Sequence, residues 1–399
     1  MKDRTTRFFR RYWLAFAIAI AFVAMWVVLW NIRYSRVGIT TVIIVPDLFG
    51  SPVSALKMVG EEPVREEVWL NVPKGRGMLV ADVYRPKDGD VHGGMVISVG
   101  AAPKIREHPG VIRLSRTAAR AGMVVMIPQL YYPFHENVLP EDVQGLVTAF
   151  GTNVEEIIAS YQWLREQPYV DPDRLGIFGA SAGAGIALVS ASDPRISQQV
   201  DFFASLGTYY DLVDLISAIT TDTIQYKGHT EPWDPWLTSV RVLYNSVISY
   251  LPDPRDRDIL TRIFVDEDDS ARLAVGRLSP RARDIYDAFE ARDPERILAF
   301  WGDVSPQDVA TLREVSPSTS VQALDADLFI MHDRSDPFIP YVESRRLRDA
   351  TTGNGHRVYF AEFDFLNHVE PKNPSNPISF MADMVKLIFY SWLLILRML

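Results

Sequence analysis

The chain of 399 residues is roughly two to three times the length of a usual domain, so it has ample length to bury a large core and is no single small module. Its 48% apolar and 23% charged residues exclude disordered and collagen-like classes, and the lack of cysteine excludes disulfide scaffolds, Cys-ligated metals and thiol nucleophiles. The net charge of −9 is uneven: residues 1–36 hold seven Lys/Arg and one Asp, leaving 34 basic and 49 acidic residues, a net −15, in the remainder, which argues against nucleic acid as a partner.

From Trp13 to Trp30 the sequence runs 18 residues without a charge, the lower edge of what crosses a hydrocarbon core as a helix. Tyr12, Trp13, Trp26 and Trp30 stand near its ends, five Lys/Arg precede it, and only Arg33 and Arg36 follow closely. Residues 1–36 are therefore expected to be a basic cytoplasmic tail and single membrane anchor. Trp-Asn-Ile-Arg-Tyr follows where a signal peptide would carry small residues, so the anchor is expected to stay uncleaved and the body to lie outside the cytoplasm.

After a linker over residues 37–63, strand and helix patterns alternate. Val64–Val72 and Met78–Tyr84 predict a strand pair around a Pro-Lys-Gly-Arg-Gly turn, and Met95–Val99 and Met123–Ile127 are continuous apolar runs of buried strands, with helical Val111–Ala121 between them. Asp142–Glu166 has helical spacing interrupted near Gly151, Leu175–Phe178 is a short apolar strand, a small-residue helix runs through Ser190, and Val200–Leu206 is again a strand. This rhythm predicts an α/β fold, a mostly parallel sheet with helices on both faces. It is interrupted over residues 208–322, where helical periodicity with few strand signals predicts an inserted helical cap. It resumes over 323–399 with strand Leu328–Met331, a helix from Tyr341 to Ala350, strand Val358–Phe363 and a last helix from about Ile378. The sheet-forming body is thus expected in two parts, 64–207 and 323–399.

Gly179-Ala180-Ser181-Ala182-Gly183 stands at the end of one buried strand. A nucleophile raised on a sharp strand-to-helix turn needs tiny residues two before and two after it. Ser181 would project above the sheet, and the Ala182 N–H at the start of the next helix could stabilise an oxyanion. A serine hydroxyl needs a His to take its proton and a carboxylate to hold the His. Of seven His, His368 lies in a loop after the last strand, at the sheet edge where the nucleophile stands. The acid is sought after the preceding strand, where Asp336 is the choice and Asp333 the alternate; an Asp before Pro337 would equally suit a helix N-cap.

With the elbow Gly179–Gly183, the stretch from His332 to Pro340 (His-x-x-x-Asp-x-x-Ile-Pro) and His368, the chain resembles the α/β-hydrolase superfamily over about residues 64–206 and 322–399. Ala81-Asp82-Val83-Tyr84-Arg85-Pro86 is similar to the early-strand segment of dienelactone-hydrolase and prolyl-oligopeptidase-related esterases. The resemblance implies a Ser181 nucleophile, a His368 base and an Asp336 orienter. It also implies an oxyanion hole from Ala182 and from Ala101 or Ala102 in the loop after the third strand. Gly100-Ala101-Ala102-Pro103 departs from the His-Gly-Gly-Gly of hormone-sensitive-lipase-like esterases, and Asp333 stands where the family commonly has Gly.

Tyr209, Tyr210, Trp233 and Trp236 are candidates for an acyl or aromatic pocket over Ser181, with gluing the cap to the sheet as the alternative. Asp266–Asp269 lacks the alternating ligands of a calcium loop and is read as a solvated helix start. No metal or organic cofactor is expected. The run Leu387–Leu399 is too short to span a bilayer and is expected to touch the membrane or the anchor, a core helix on the sheet being the alternative. Together these features predict a membrane-anchored serine hydrolase acting on small-molecule or lipid-like carboxylic esters through an acyl-enzyme. An amide or peptide hydrolase, or an acyltransferase, would use the same triad, and a non-catalytic tethered binding protein would keep the fold alone.

Overall fold

The structure, a computed structural model, describes residues 25, 33–48, 61–100, 104–131, 146–353, 355, 357–368, 370–372 and 376–399. An eight-stranded sheet forms the centre. In chain order its strands are β1 (Val64–Val72), β2 (Gly77–Arg85), β3 (His92–Val99), β4 (Val124–Pro128), β5 (Val170–Ala180), β6 (Phe202–Leu206), β9 (Asp327–Asp333) and β10 (Val358–Phe363). Their spatial order is β1-β2-β4-β3-β5-β6-β9-β10. The pairs β1/β2 and β2/β4 are antiparallel and all the others parallel, so the ends of β3, β5, β6, β9 and β10 share one edge. β4 is buried at all five positions, as a strand covered on both faces must be.

Helices α3 (Leu146–Arg165) and α4 (Ala182–Ala191) cover one face; α1 (Arg33–Leu48), α2 (Pro109–Arg120) and α12 (Pro377–Met398) cover the other. Two expectations change here. α3 runs unbroken through Gly151, and residues 37–48, read as linker, belong to α1, whose Val37, Thr41 and Ile44 turn inward at helical spacing.

Between β6 and β9 the chain leaves the sheet. It forms α5 (Leu212–Thr221), strands β7 (Thr223–Tyr226) and β8 (His229–Pro232), then α6 (Leu237–Ile248), α7 (Pro254–Phe264), α8 (Pro280–Glu290), α9 (Pro294–Val304) and α10 (Pro306–Glu314). Local chemistry dictates these starts: α7, α8 and α9 each open on Pro, which suits the first helical position, behind Asp253, Ser279 and Asp293 whose side chains accept first-turn N–H groups. The short β7/β8 hairpin adds two four-residue strands to the segment expected as a helical cap. Its entry and exit are tied together: Leu212 N donates to Ser316 Oγ at 3.0 Å and Ser318 N to the Tyr210 carbonyl at 2.9 Å. After β9 come α11 (Tyr341–Thr351), β10, the two-residue strands β11 (Leu366–Asn367) and β12 (Glu370–Pro371), and α12.

Among the described residues, the helix long and apolar enough to cross a membrane is α12 at the C-terminal end, not one at the N-terminus. This corrects the view that the C-terminal run is too short, because Asn376 caps a helix of 22 residues that begins ten residues before that run. Trp13–Trp30, Met25 apart, lies outside the described residues.

Candidate active site

Ser181 sits between β5 and α4 with φ 58° and ψ −144°, a left-handed conformation that a side chain tolerates only under constraint. The constraint is visible around it. Ser181 N donates to the Leu206 carbonyl at 3.0 Å, and a Cβ on Gly179 would come 2.4 Å from Ala184 Cα. A Cβ on Gly183 would come 2.5 Å from Gly100 N, so the elbow is pressed against the end of β3. The two glycines permit the turn that the sequence spacing anticipates. Ala182 is the first residue of α4, where backbone N–H groups have no partner within the helix.

Asp336 and His368 meet at the same edge. His368 Nδ1 and Asp336 Oδ2 are 2.6 Å apart, and both side chains are buried. The other oxygen, Oδ1, accepts from Phe338 N at 2.8 Å and Ile339 N at 3.1 Å. Burial alone would raise the Asp336 pKa; hydrogen bonds and charge from His332 and His368 hold it instead well below the usual carboxylate range. Imidazole Nε2 of His368 is buried and has no hydrogen-bond partner among the described residues, so the nitrogen opposite the carboxylate keeps its hydrogen-bonding capacity unused. Gly207, at φ 68°, lies under this pair; a Cβ there would come 3.2 Å from Asp336 Oδ2.

The alternate acid, Asp333, does other work. Its Oδ1 accepts from Ser335 N at 2.9 Å and Ser335 Oγ at 2.6 Å, and its Oδ2 accepts from Leu366 N at 2.7 Å. It thereby ties the end of β9 to the loop that carries His368. His332 is the residue sequence reasoning left without a role. Fully buried, its Nε2 lies 2.9 Å from the Ile339 carbonyl and 3.3 Å from Asp336 Oδ2, and its Nδ1 lies 2.6 Å from Ser344 Oγ. The only signal for it is its spacing of four residues before Asp336.

Of the expected oxyanion donors, Ala101 and Ala102 lie outside the described residues. Both flanks of their loop are fixed: Gly100 N donates to the Ala180 carbonyl at 3.1 Å, and Arg106 Nη2 reaches buried Asp82 at 2.7 Å. Arg65 of β1 holds the other oxygen of Asp82 at 2.7 Å. The Asp in the Ala81–Pro86 segment thus anchors the chain just beyond that loop.

The four aromatic candidates separate. Trp233 Nε1 donates to the Asp336 carbonyl at 2.9 Å, Trp236 packs edge-on at 4.0 Å against Phe338, and Phe338 lies 4.6 Å from the His368 ring. These two tryptophans brace the acid loop. Tyr209, by contrast, is fully buried beneath Gly185 with its hydroxyl on the Val315 carbonyl at 2.9 Å, so it lines no pocket. Tyr210 borders an open polar cavity of about 530 Å³ with Gln225, Lys227 and Arg346, and none of Ser181, Asp336 and His368 lines that cavity. Buried Glu343 fixes Tyr210 by accepting from its N–H at 3.0 Å and from Asp211 N at 2.9 Å. Among the described residues no cluster of His, Asp or Glu is arranged to hold a metal, and Asp268 of the acidic run caps the turn Asp269–Arg277.

Residues 147–275 match the family model described as alpha/beta hydrolase fold. With the sheet order above, the chain has the α/β-hydrolase fold. A protein of Bradyrhizobium sp, described as "Probable 2-oxo-3-(5-oxofuran-2-ylidene)propanoate lactonase", is 28% identical over 129 residues, 30% of this chain and 52% of that protein. The chain thus spans about half the length of the curated relative it matches. Among solved structures, an esterase of Pyrobaculum calidifontis shares 17% identity, with 91% of this chain and 90% of that one covered and a TM-score of 0.43. The acylaminoacyl peptidase of Pyrococcus horikoshii shares 14%, with 77% and 38% covered and a TM-score of 0.44.

Proposed function

We propose that the protein is a membrane-associated serine hydrolase that cleaves carboxylic esters through an acyl-enzyme. The observation that carries this reading is His368, held at 2.6 Å by buried Asp336, with Nε2 unpartnered at the edge where Ser181 stands on its constrained turn. In this mechanism His368 Nε2 takes the Ser181 proton as Oγ attacks the ester carbonyl carbon. The oxyanion is met by the Ala182 N–H and a donor from the 101–102 loop. The alkoxide then leaves with the proton from His368, and water repeats the sequence to release the acid. Asp336 stays ionised and stabilises the imidazolium. The relative described as a lactonase, whose substrate bond would be a cyclic ester, favours ester over amide chemistry.

Membrane association is proposed on the apolar run Trp13–Trp30 and the apolar C-terminal helix, with the catalytic body on the extracytoplasmic side. Fluorophosphonate labelling tests the chemistry: wild type is expected to label covalently and Ser181→Ala not at all. Absence of labelling in folded wild type would sink the reading. A panel of p-nitrophenyl esters of rising chain length, run with and without detergent, then sorts small esters from lipid-like ones.

A further inference from the structure

The two faces of α12 differ sharply. Its inner side is committed to the body. Lys386 Nζ donates to the Glu362 carbonyl at 3.0 Å, Asp383 Oδ2 accepts from Asp364 N at 2.9 Å, and Arg397 pairs with Asp201 and Asp327 at the sheet. A helix tied along its length to a sheet by charged groups does not cross a bilayer, where such groups would lose water and partners together. Its outer side is nevertheless apolar. Ile378, Met381, Val385 and Phe389 follow at helical spacing and are 82%, 62%, 64% and 51% exposed. Phe389 continues this stripe to Trp392 at 6.0 Å, and Trp392 to Tyr34 of α1 at 6.3 Å. Contiguous exposed apolar side chains on one side of a folded domain mark an interaction surface.

Covalent continuity says what covers it. Tyr34 is four residues beyond Trp30, the last residue of the apolar run, and four extended residues reach at most about 15 Å. Wherever Trp30 meets the lipid boundary, Tyr34 lies within about 15 Å of it, and Trp392 is Tyr34's neighbour. Near the other end of the stripe the inner side of the helix touches the loop of the candidate site: Phe380 packs on buried Phe365 at 5.8 Å, three residues before His368. We propose that the outer face of α12, with Tyr34 of α1, beds on the surface of a phospholipid bilayer as an in-plane helix, laying the catalytic body on the membrane with the His368 loop beside the lipid. This rests on the proposed N-terminal membrane insertion, and not on the hydrolytic reading.

The cysteine-free sequence makes the test direct, because any single introduced Cys labels uniquely. Full-length Val385→Cys and Phe389→Cys, with Leu273→Cys as a 92% exposed control in the segment between β6 and β9, are labelled with an environment-sensitive fluorophore. They are reconstituted in phosphatidylcholine/phosphatidylglycerol vesicles carrying doxyl lipid, with thermal melting as the check on folding. The expectation is at least ~2-fold stronger quenching by doxyl lipid at 385 and 389 than at 273, and the reverse order with aqueous iodide. Equal iodide quenching at all three sites puts the face in water and overturns the proposal. Protection from both quenchers means that protein covers it, another segment of this chain or a second copy, and overturns it as well. Vesicle flotation of the full chain separates the failures: a chain that does not float loses the insertion and this proposal together, whereas one that floats with water-exposed labels loses this proposal alone.

Discussion

The two faces of the sheet are both apolar at the strands and are closed in different ways. On one, α3, α4 and the segment between β6 and β9 pack into a continuous core. Tyr161, Ile186, Leu188 and Tyr209 are fully buried there, and a polar group such as the Tyr161 hydroxyl finds the Gln199 carbonyl at 2.6 Å. On the other, α1, α2 and α12 cover the strands with a single layer whose outer side is charged along α2, at Arg113 and Arg116, and apolar along α12, at Ile378, Met381, Val385 and Phe389. The difference teaches that a helix can satisfy the sheet and still leave a second surface unsatisfied in water. Along α12 this leaves four apolar side chains more than half exposed, which the closed face has no counterpart for in its buried core. The candidate site draws on both: Trp233 and Trp236 brace the Asp336 loop from the closed face, and Phe380 of α12 packs on Phe365 in the His368 loop.

The largest expected effect tests where the chemistry lies. Ser181→Ala should lower kcat for a soluble ester by about 10⁴-fold or more while the protein melts near the wild-type temperature, because the turn persists without its hydroxyl. Asp336→Asn comes next, with an expected loss of about 10²- to 10⁴-fold. It also carries a pH signature. The native Asp336 pKa is depressed, so ionisation favours the fold at pH values above the unfolded carboxyl pKa of about 3.9, and that contribution fades as pH falls toward the native value. Denaturation of wild type and variant should therefore differ most above about pH 4 and converge as the solution is acidified. A difference that grows on acidification would overturn the assignment of Asp336 as a charged partner of His368.

The three candidate positions stood out in the sequence because each lies at the end of a buried run whose pattern needs no partner to be read: Ser181 after β5, Asp336 after β9 and His368 after β10. In a parallel sheet those ends gather at one edge, so order along the chain translates into proximity. Pattern favoured Asp336 over Asp333, and the direction of each side chain shows the contacts: Asp336 meets His368 while Asp333 turns to Ser335 and Leu366 N. Tyr209 misled for the same reason, since its place just after β6 says nothing of whether its ring turns up toward the edge or down under Gly185. The β7/β8 hairpin has no period to find, because all four residues of β8 are exposed. α1 resisted for a further reason. Its inward residues acquire meaning only with α2 and α12 in place, and α12 is more than three hundred residues away in the chain.

The smallest effects sharpen the contrast between the faces most directly. On the closed face, Gly185→Ala adds one carbon that would come 2.2 Å from the Tyr209 ring, in a place where Tyr209 is pinned by its hydroxyl. Relief requires moving a fully buried ring, and a cost of about 1–3 kcal/mol is expected in chemical denaturation of the full chain in detergent. On the open face, Val385→Ser removes more apolar surface than that methyl adds, yet in the same experiment it should change stability by no more than about 0.5 kcal/mol, since Val385 is already exposed in the folded body. The two substitutions oppose intuition about size, because what matters is whether neighbours exist to be disturbed. If Val385→Ser cost as much as Gly185→Ala, Val385 would be packed within the folded body, and the distinction between a closed and an open face of this sheet would fall.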